Sequence, residues 1–597
     1  MKQSQIRNFS IIAHIDHGKS TLADRIMEET QTVSEREMSS QLLDSMAVEQ
    51  EHGITVKSRT VRSYYTATNG ETYEYNFIDT PGHVDFSYEV SKSLAASDGA
   101  ILLVDATQGV QAQTVANYRL AKENNLKIIP VINKIDHPNA DVEETKIQLM
   151  ELADVDEDEM LLISAKTGIG VDLVLEAIKD RIPEPIGEIE APLKALVFDS
   201  HFDAFKGIVA YIRVFDGEFK ANNLLRFMQQ TTDFQVVEAG IFKPDMVAVD
   251  SLHAGDVGYV ITGLKDPQLV KIGDTLTSQS NPTPEALPGY KESESMVFAG
   301  FYPKDNNYKE LKSAIQKLAL NDSSFHYKEE KSDALGLGFR CGFLGMLHLS
   351  IIRERLEKEY QLGVLTTTPN VTYHVILKNG KEVVVDNPVQ FPNFSEIDHV
   401  EEPFLDVHMT VPDEQVGDIM KLAEKRKGIF QDMSYNSGQT ELNYALPTSE
   451  IAYDFFNQLK SLSHGYATME TQFKGYQTAD VVKMDVLVNY ATVDALGFVV
   501  HRQDAVEIGQ KLVEQLKYSI PRKLFPMPVQ AVIENKAISR ANVPPLRKSA
   551  TTSSDKKNAA KQDMLRRQSA NKRLGSKAEM ELPQEVFNAI LEVNNDN

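Results

Sequence analysis

Five short motifs, met in a fixed order, carry the chemistry of this chain: Ala13-His14-Ile15-Asp16-His17-Gly18-Lys19-Ser20, Gly53-Ile54-Thr55, Asp79-Thr80-Pro81-Gly82-His83, Asn133-Lys134-Ile135-Asp136 and Ser164-Ala165-Lys166. The first reads as a phosphate-binding loop, in which successive backbone N–H groups wrap phosphate oxygens and the helix start adds partial positive charge. Lys19 supplies a point charge for the β and γ phosphates, and the Ser20 hydroxyl a Mg2+ ligand. Asp79 is an acid able to hold Mg2+ through water, and the N–H of Gly82 is suited to the γ-phosphate. Thr55 closes onto the same metal only when a γ-phosphate is present, which makes an order–disorder switch. Asp136 accepts guanine N1–H and N2–H together; adenine lacks that donor pair and would leave the carboxylate unsatisfied. The N–H of Ala165 suits guanine O6. The set reads as GTP binding and hydrolysis, with GTP chosen over ATP. Single motifs are weaker: the usual first glycine of the phosphate loop is Ala13 here, and Thr55 alone would pass for an ordinary loop threonine.

An alternating α/β unit must position these residues. Phe9 to Ala13 is an apolar run suited to a buried parallel strand, and Ser20 to Glu28 reads as a helix, the strand–loop–helix context a phosphate loop requires. Tyr73 to Ile78 is rich in β-formers and follows an Asn69-Gly70 turn, so it reads as a hairpin strand delivering Asp79. Ile128 to Ile132 reads as a further buried strand, ending at Asn133.

Composition fits a large multidomain protein. A chain of 597 residues suits about four domains, each able to bury its own core. The single cysteine, Cys341, excludes an intramolecular disulfide framework and fits a reducing, cytoplasmic setting. Set among glycines and aromatics, it reads as a buried structural thiol. No signal peptide or membrane span stands out. A net charge of −24 argues against non-specific nucleic-acid binding by the whole surface. Leu546 to Lys577 departs from that balance, with ten Lys and Arg (Arg547, Lys548, Lys556, Lys557, Lys561, Arg566, Arg567, Lys572, Arg573, Lys577) against Asp555 and Asp563. It is either a solvated basic tail or a phosphate-backbone contact within a specific complex.

Beyond the nucleotide-binding region the organisation is modular. Pro183 to Pro192 is rich in Pro and Glu and reads as a linker. Short β-rich runs (Lys194 to Phe198, Ile208 to Phe215, Val257 to Ile261), with turns at Asp216-Gly217 and Gly273-Asp274, suit a small antiparallel barrel. Two later segments share the β-α-β-β-α-β order of a split ferredoxin-like fold. The first runs from Val297 to Tyr302 through helices at Tyr308 to Leu318 and Leu344 to Tyr360, closing on a strand at Val371 to Leu377. The second runs from Phe404 through a helix at Asp413 to Lys427 to a strand within Tyr466 to Tyr476.

The chain resembles the bacterial LepA, or elongation factor 4, family of translation GTPases. The resemblance rests on Ala13 to Thr21, on Asp79 to Tyr88, and on Gly338-Phe339-Arg340-Cys341-Gly342-Phe343-Leu344-Gly345-Met346-Leu347-His348. It also rests on Val499-Val500-His501-Arg502 and Met580-Glu581-Leu582-Pro583-Gln584-Glu585. It spans nearly the whole chain, and the Gly338 to His348 run separates it from elongation factor G.

The resemblance implies a multidomain α/β protein: a P-loop GTPase domain (1–185), a β-barrel domain (190–282), ferredoxin-like domains at 292–380 and 400–480, and a family-specific C-terminal domain with the basic tail (481–597). It implies that Asp16, His17, Gly18, Lys19, Ser20, Thr21, Gly82, Asn133, Lys134, Ile135, Asp136, Ser164, Ala165 and Lys166 bind GTP or GDP, and that Ser20, Thr55 and Asp79 arrange Mg2+. His83 would position the attacking water behind an apolar gate of Ile15 and Ile54, with Lys19 and Thr55 also in the catalytic set. The implied activity is ribosome-dependent GTP hydrolysis that moves tRNAs back by one codon after faulty translocation, especially under stress. The implied partners are the ribosome (rRNA and ribosomal proteins) and tRNA. The protein would be a cytoplasmic monomer with peripheral membrane contact, although no amphipathic or lipidated segment accounts for that contact.

This sequence departs from the family at His52, where arginine is usual, at His464 and Met469-Glu470-Thr471, and at Ser549 to Ala560, which is Ser-Thr-Ala-Asn-rich where a denser basic run is usual. These departures suit a divergent second copy. They leave open a ribosome-assembly or recycling GTPase, or a GTP-regulated ribosome-binding protein that no longer moves tRNA.

Overall fold

The computed structural model describes residues 1–33, 42–44, 46–52, 54–82, 86–153, 155–203, 205–266, 269–290, 295–305, 307–322, 324–332, 335–367, 369–436, 439–451, 455–463, 467–523, 526–546 and 586. It divides into two compact units, residues 1–294 with 316–324, and residues 295–315 with 325–597. Among the expected features, Gly53, His83, His464, nearly all of the basic tail and the Met580 to Glu585 run lie outside the described residues.

The N-terminal part of the first unit is a six-stranded sheet. Its strands are β1 (Ile6–Ala13), β2 (Arg59–Thr66), β3 (Thr72–Asp79), β4 (Gly99–Asp105), β5 (Lys127–Asn133) and β6 (Leu161–Leu162), in the order β2-β3-β1-β4-β5-β6. All neighbours run parallel except the β2–β3 hairpin. Helices α1 (Lys19–Glu29), α2 (Ala47–His52), α3 (Ser87–Ala95), α4 (Ala112–Glu123), α5 (Val142–Ala153) and α6 (Val171–Arg181) connect them. Strands covered on both faces need continuous apolar runs, and β4 and the second half of β1 come close to that; the polar side chains that β1 buries, Asn8 and Ser10, are hydrogen-bonded to Asp98 and the Gly255 carbonyl and to Ser97. Under α1 and α6, Phe9 stacks on Phe77 at 5.9 Å and meets Tyr75 edge-on at 6.0 Å. Such pairs contribute about 0.5–1.5 kcal/mol beyond the area they bury. The Asn69-Gly70 turn closes the β2–β3 hairpin as the sequence predicts, with Gly70 at φ +79° and its N–H donated to Ala67 C=O at 2.9 Å.

An antiparallel β-barrel domain follows: β7 (Lys194–Asp203), β8 (Gly207–Asp216), β9 (Glu218–Lys220), β10 (Leu224–Phe227), β11 (Thr232–Gln235), β12 (Glu238–Lys243), β13 (Asp245–Val249), β14 (Ser251–His253), β15 (Val257–Ile261) and β16 (Thr275–Ser278). Buried ion pairs tie it to the sheet: Arg62 to Asp256 at 2.9 Å, and the fully buried Arg213 to Asp98 at 3.0 Å. The expected linker is pinned at its start, where Gln3 Nε2 donates to the Pro185 and Gly187 carbonyls at 2.7 and 3.1 Å.

From Val297 the chain runs β17 (Val297–Pro303), α7 (Tyr308–Asn321), β18 (His326–Ser332), β19 (Gly336–Phe343), α8 (Met346–Tyr360) and β20 (Val364–Thr366), and the four strands, all in the second unit, make a sheet ordered β18-β19-β17-β20, the split ferredoxin-like topology. Cys341 lies fully buried on β19, as the sequence predicts, and burial pushes its thiol well up. One expectation is corrected. The closing strand is Val364–Thr366, whereas Val371 to Leu377 falls mainly in β21 (Tyr373–Leu377), which pairs with β22 (Glu382–Val385) and with β23 (Ile397–Pro412) of the next sheet. Gln361, at φ +55° after α8, turns the chain straight back, so the first strand available closes the sheet.

From β23 the chain continues through α9 (Val416–Lys425), β24 (Ile429–Asn436), β25 (Gln439–Pro447), α10 (Thr448–Ile451), α11 (Phe455–Leu462) and β26 (Thr468–Ala479). β26 pairs β23 on the side away from β25, repeating the ferredoxin-like order. The C-terminal domain carries β27 (Val481–Val488), β28 (Ala491–Thr492), β29 (Phe498–His501), α12 (Ala505–Ser519), β30 (Met527–Ile533) and β31 (Lys536–Val543). Its core of Val486, Leu496, Leu512, Leu516 and Val529 also receives Val586. No helix among the described residues is long and apolar enough to cross a membrane.

Candidate functional site

The expected chemistry gathers at one edge of the first sheet. The motifs follow the C-terminal ends of β1 (Ala13), β3 (Asp79) and β5 (Asn133) and a short bridge at Ser164, the edge where open α/β sheets bind ligands. Register fixes the spacing: Ile11 faces Asp79 across β1–β3, and Asp105 faces Asn133 across β4–β5. A cavity of about 240 Å³ opens there, lined by His14, Ile15, Asp16, Gly18, Lys19, Ser20, Thr21, Ile54, Thr55, Gly82 and Lys134.

Inside it the Lys19 ammonium sits among oxygens. Nζ donates to Asp79 Oδ1 at 2.5 Å, to Thr55 Oγ1 at 3.0 Å and to Ser20 Oγ at 3.4 Å. Asp79 is completely buried, and burial raises its pKa while Lys19 pulls it back. Its second oxygen, Oδ2, is buried and has no hydrogen-bond partner among the described residues. Breaking such a pair by removing one member costs about 3–5 kcal/mol, because the other charge is left uncompensated. Gly18 must be glycine twice over: its φ is +93°, and an added Cβ would stand 2.4 Å from Asn133 Nδ2.

Asn133 is a brace between loops. Its Nδ2 donates to His17 C=O at 2.8 Å, and its Oδ1 accepts the Ala165 N–H at 2.9 Å. The N–H expected to meet guanine O6 is therefore already engaged, and a base must share or displace that bond. Lys134, at φ +60°, donates to Asp16 C=O at 2.6 Å and pairs with Asp105 at 2.7 Å. Asp136 is exposed, and the Ser164 hydroxyl beside it holds its carboxyl below the ordinary range. Ile135 donates its N–H to Ile163 C=O at 3.3 Å, and Lys166 is exposed at the same loop. Sequence reasoning missed Arg25, which ties α1 to this loop through the Ala165 and Lys166 carbonyls at 3.2 and 3.0 Å; nothing local in the sequence marks it.

Four family models match in tandem: Elongation factor Tu GTP binding domain over residues 4–184, Elongation factor Tu domain 2 over 207–277, Elongation factor G C-terminus over 399–487 and GTP-binding protein LepA C-terminus over 488–592. Elongation factor 4 2 of Lactiplantibacillus plantarum is 58% identical, covering 99% of this chain and 100% of its own. Elongation factor 4 of Lactococcus lactis subsp. cremoris is 48% identical (100% and 99%), and that of Bacillus licheniformis 48% (99% and 97%). The chain belongs to the elongation factor 4, or LepA, family. It is a GTP hydrolase of translation that binds GTP and GDP. A solved protein from Thermus thermophilus shares the fold at 18% identity and TM-score 0.59, over 80% of this chain and 97% of its own.

The number 2 in the name of the Lactiplantibacillus relative fits a divergent copy within the family. One departure, Met469, lies in the core beside Leu405 and Val407. His17 is turned away from the cavity. Its ring is fully buried, with Nδ1 accepting the Asp105 N–H at 3.2 Å. Burial pushes its pKa from 6.5 down to about 4. Because the unfolded chain takes up the proton first, the stabilising contribution is full above pH 6.5 and is lost as pH falls to about 4, roughly 3 kcal/mol in all. Denaturation of nucleotide-free protein at pH 7 and 4.5 is expected to show His17→Gln with a shallower acid loss than the parent; equal slopes would remove His17 as a source.

Proposed function

We propose that this translation GTPase holds Mg2+ and GTP in the cavity at the sheet edge. It hydrolyses GTP on the ribosome and uses the cycle to move tRNAs back by one codon on improperly translocated ribosomes, above all under stress. The observation that carries the nucleotide chemistry is the Lys19 ammonium buried among Asp79, Thr55 and Ser20. A carboxylate and two hydroxyls are the hard oxygen donors Mg2+ takes, Asp79 Oδ2, without a partner among the described residues, adds a further acceptor, and the ammonium stands in for a cation. When bound, the ion offsets charge developing on the β and γ phosphates. Lys19 would pair with the β and γ phosphate oxygens, Ser20 and Thr55 would hold the metal with Asp79, and the Gly82 N–H would serve the γ-phosphate. Ile15 and Ile54 shield the side from which water attacks, and His83 orients that water. Asp136 reads guanine, while Asn133, Lys134, Ser164 and Ala165 hold the loops around the base.

For tRNA movement the support is the C-terminal region, matched to LepA over 488–592 and carrying the ten cations. The test maps tRNA positions on post-translocation ribosomes with pure protein and GTP. A one-codon backward shift is expected. It should be lost when the ten cations become Gln, with ribosome affinity weakened and its salt dependence flattened, since fewer counterions are released. If the parent produces no shift while its GTPase is still stimulated, the altered tail belongs to a ribosome-binding GTPase that leaves tRNA in place.

A further inference from the structure

Glu49, on α2, is 1% exposed, yet its carboxylate makes three hydrogen bonds to backbone. Oε2 accepts the Met46 N–H at 3.0 Å; Oε1 accepts the Val56 and Lys57 N–H groups at 3.1 and 3.2 Å. The first bond caps the start of α2, three residues ahead, as an acid in a capping box does. The other two grip the chain immediately past Thr55. The Ile54 N–H also returns to the Glu49 carbonyl at 3.1 Å, so Glu49 holds Met46 on one side and Ile54, Val56 and Lys57 on the other. A second buried carboxylate, Asp44, accepts the Thr55 hydroxyl proton at 2.9 Å. A hydroxyl has one proton and two lone pairs. With the proton committed to Asp44, the lone pairs face Lys19 Nζ at 3.0 Å and Ser20 Oγ at 3.3 Å.

We infer that Glu49 and Asp44 are positioning residues for GTP hydrolysis: Glu49 fixes the backbone beyond Thr55, and Asp44 fixes the direction of its hydroxyl. Neither touches nucleotide. They preset the loop to close on metal and γ-phosphate. Two carboxylates removed from water would destabilise the fold unless hydrogen-bonded, and here three of the four bonds described run to Thr55, Val56 and Lys57. The inference rests on the reading of Thr55 as the residue that meets Mg2+ in the GTP state.

The test uses the full-length protein with ribosomes. Single-turnover GTP hydrolysis and equilibrium affinities for GDP are measured for the parent, Asp44→Asn, Glu49→Ala, Glu49→Gln, Thr55→Ala and the Glu49→Ala/Thr55→Ala double variant. Glu49→Ala is expected to slow hydrolysis about tenfold to a hundredfold, the size of losing one or two charge-assisted hydrogen bonds. GDP affinity should stay within about twofold, because GDP lacks the phosphate onto which the loop closes. Glu49→Gln keeps one acceptor oxygen and should be slowed about threefold to tenfold, as should Asp44→Asn. The double variant should be little slower than Thr55→Ala, since Glu49 acts through Thr55. GDP affinity falling in step with rate in both Glu49 variants, or fully additive losses, would reduce Glu49 to a residue that only holds the fold and would overturn the inference. Parent-like hydrolysis by Thr55→Ala would instead overturn the reading of Thr55 on which it stands.

Discussion

Asp136→Asn is expected to lower GTP affinity about a hundredfold or more and to create affinity for xanthosine triphosphate. The Asp136 carboxylate is exposed on the loop after β5, and the Ser164 hydroxyl beside it holds its pKa below the ordinary range, so it is ionised at neutral pH. In that state it offers acceptors only, which match guanine N1–H and N2–H. Asparagine keeps one acceptor for N1–H but presents a donor where guanine also has one, so donor faces donor. Xanthine carries a carbonyl at that carbon, and the amide N–H then finds a partner. The frame around the base does not depend on Asp136: Asn133 still spans from His17 C=O to the Ala165 N–H, and Arg25 still holds the Ala165 carbonyl. Equilibrium titration with fluorescent GTP and XTP reads the outcome. Unchanged GTP affinity would remove Asp136 as the base reader, and loss of both nucleotides would mean that the loop itself had given way.

What the sequence revealed of this site was local; what it hid was long-range. β1, α1 and the β2–β3 hairpin were legible because their signals lie within a few residues: an apolar run, a helical stretch, and Asn69-Gly70 between two β-rich segments. The strand Tyr373–Leu377 was legible as a strand but not as a member of the second ferredoxin-like sheet, since a β pattern does not name its neighbour. Gly18 is visible as a motif glycine, yet the side chain that would collide with any Cβ there comes from Asn133, at the far end of the domain sequence. Asn133 itself reads as a base contact in the motif, and in the fold it is first of all a brace. Glu49 lies near Glu51 in a polar stretch outside the five motifs; only folding brings the Val56 and Lys57 N–H groups onto it. Likewise, the pairing of Lys19 with Asp79 across the phosphate cavity follows from β1 and β3 lying side by side, which no spacing in the chain announces.

His83→Ala is expected to bind GTP and the ribosome almost as the parent does and to lose about a hundredfold to ten-thousandfold of ribosome-stimulated hydrolysis, the range a positioned proton-handling group contributes. The split follows from where the binding contacts lie. Among the described residues the phosphate cavity is lined by residues 14–16, 18–21, 54, 55, 82 and 134, which offer the ground-state nucleotide partners of their own. His83 directly follows Gly82, which lies so close to the phosphate loop that an added Cβ would stand 3.4 Å from both the Ala13 carbonyl oxygen and the Ile15 nitrogen. An interaction made only as water attacks lowers the barrier without tightening binding, so its loss falls on turnover and not on affinity. Lys19→Ala is the contrasting control. It strips the cation from the fully buried Asp79 and the point charge from the phosphates, so GTP affinity itself should collapse. Single-turnover hydrolysis and equilibrium GTP binding, measured on both variants with ribosomes, separate the two. Equal stimulated rates for His83→Ala and the parent would show that another group orients the water, and the apolar pair Ile15 and Ile54 would then be shielding a water held from elsewhere in the complex.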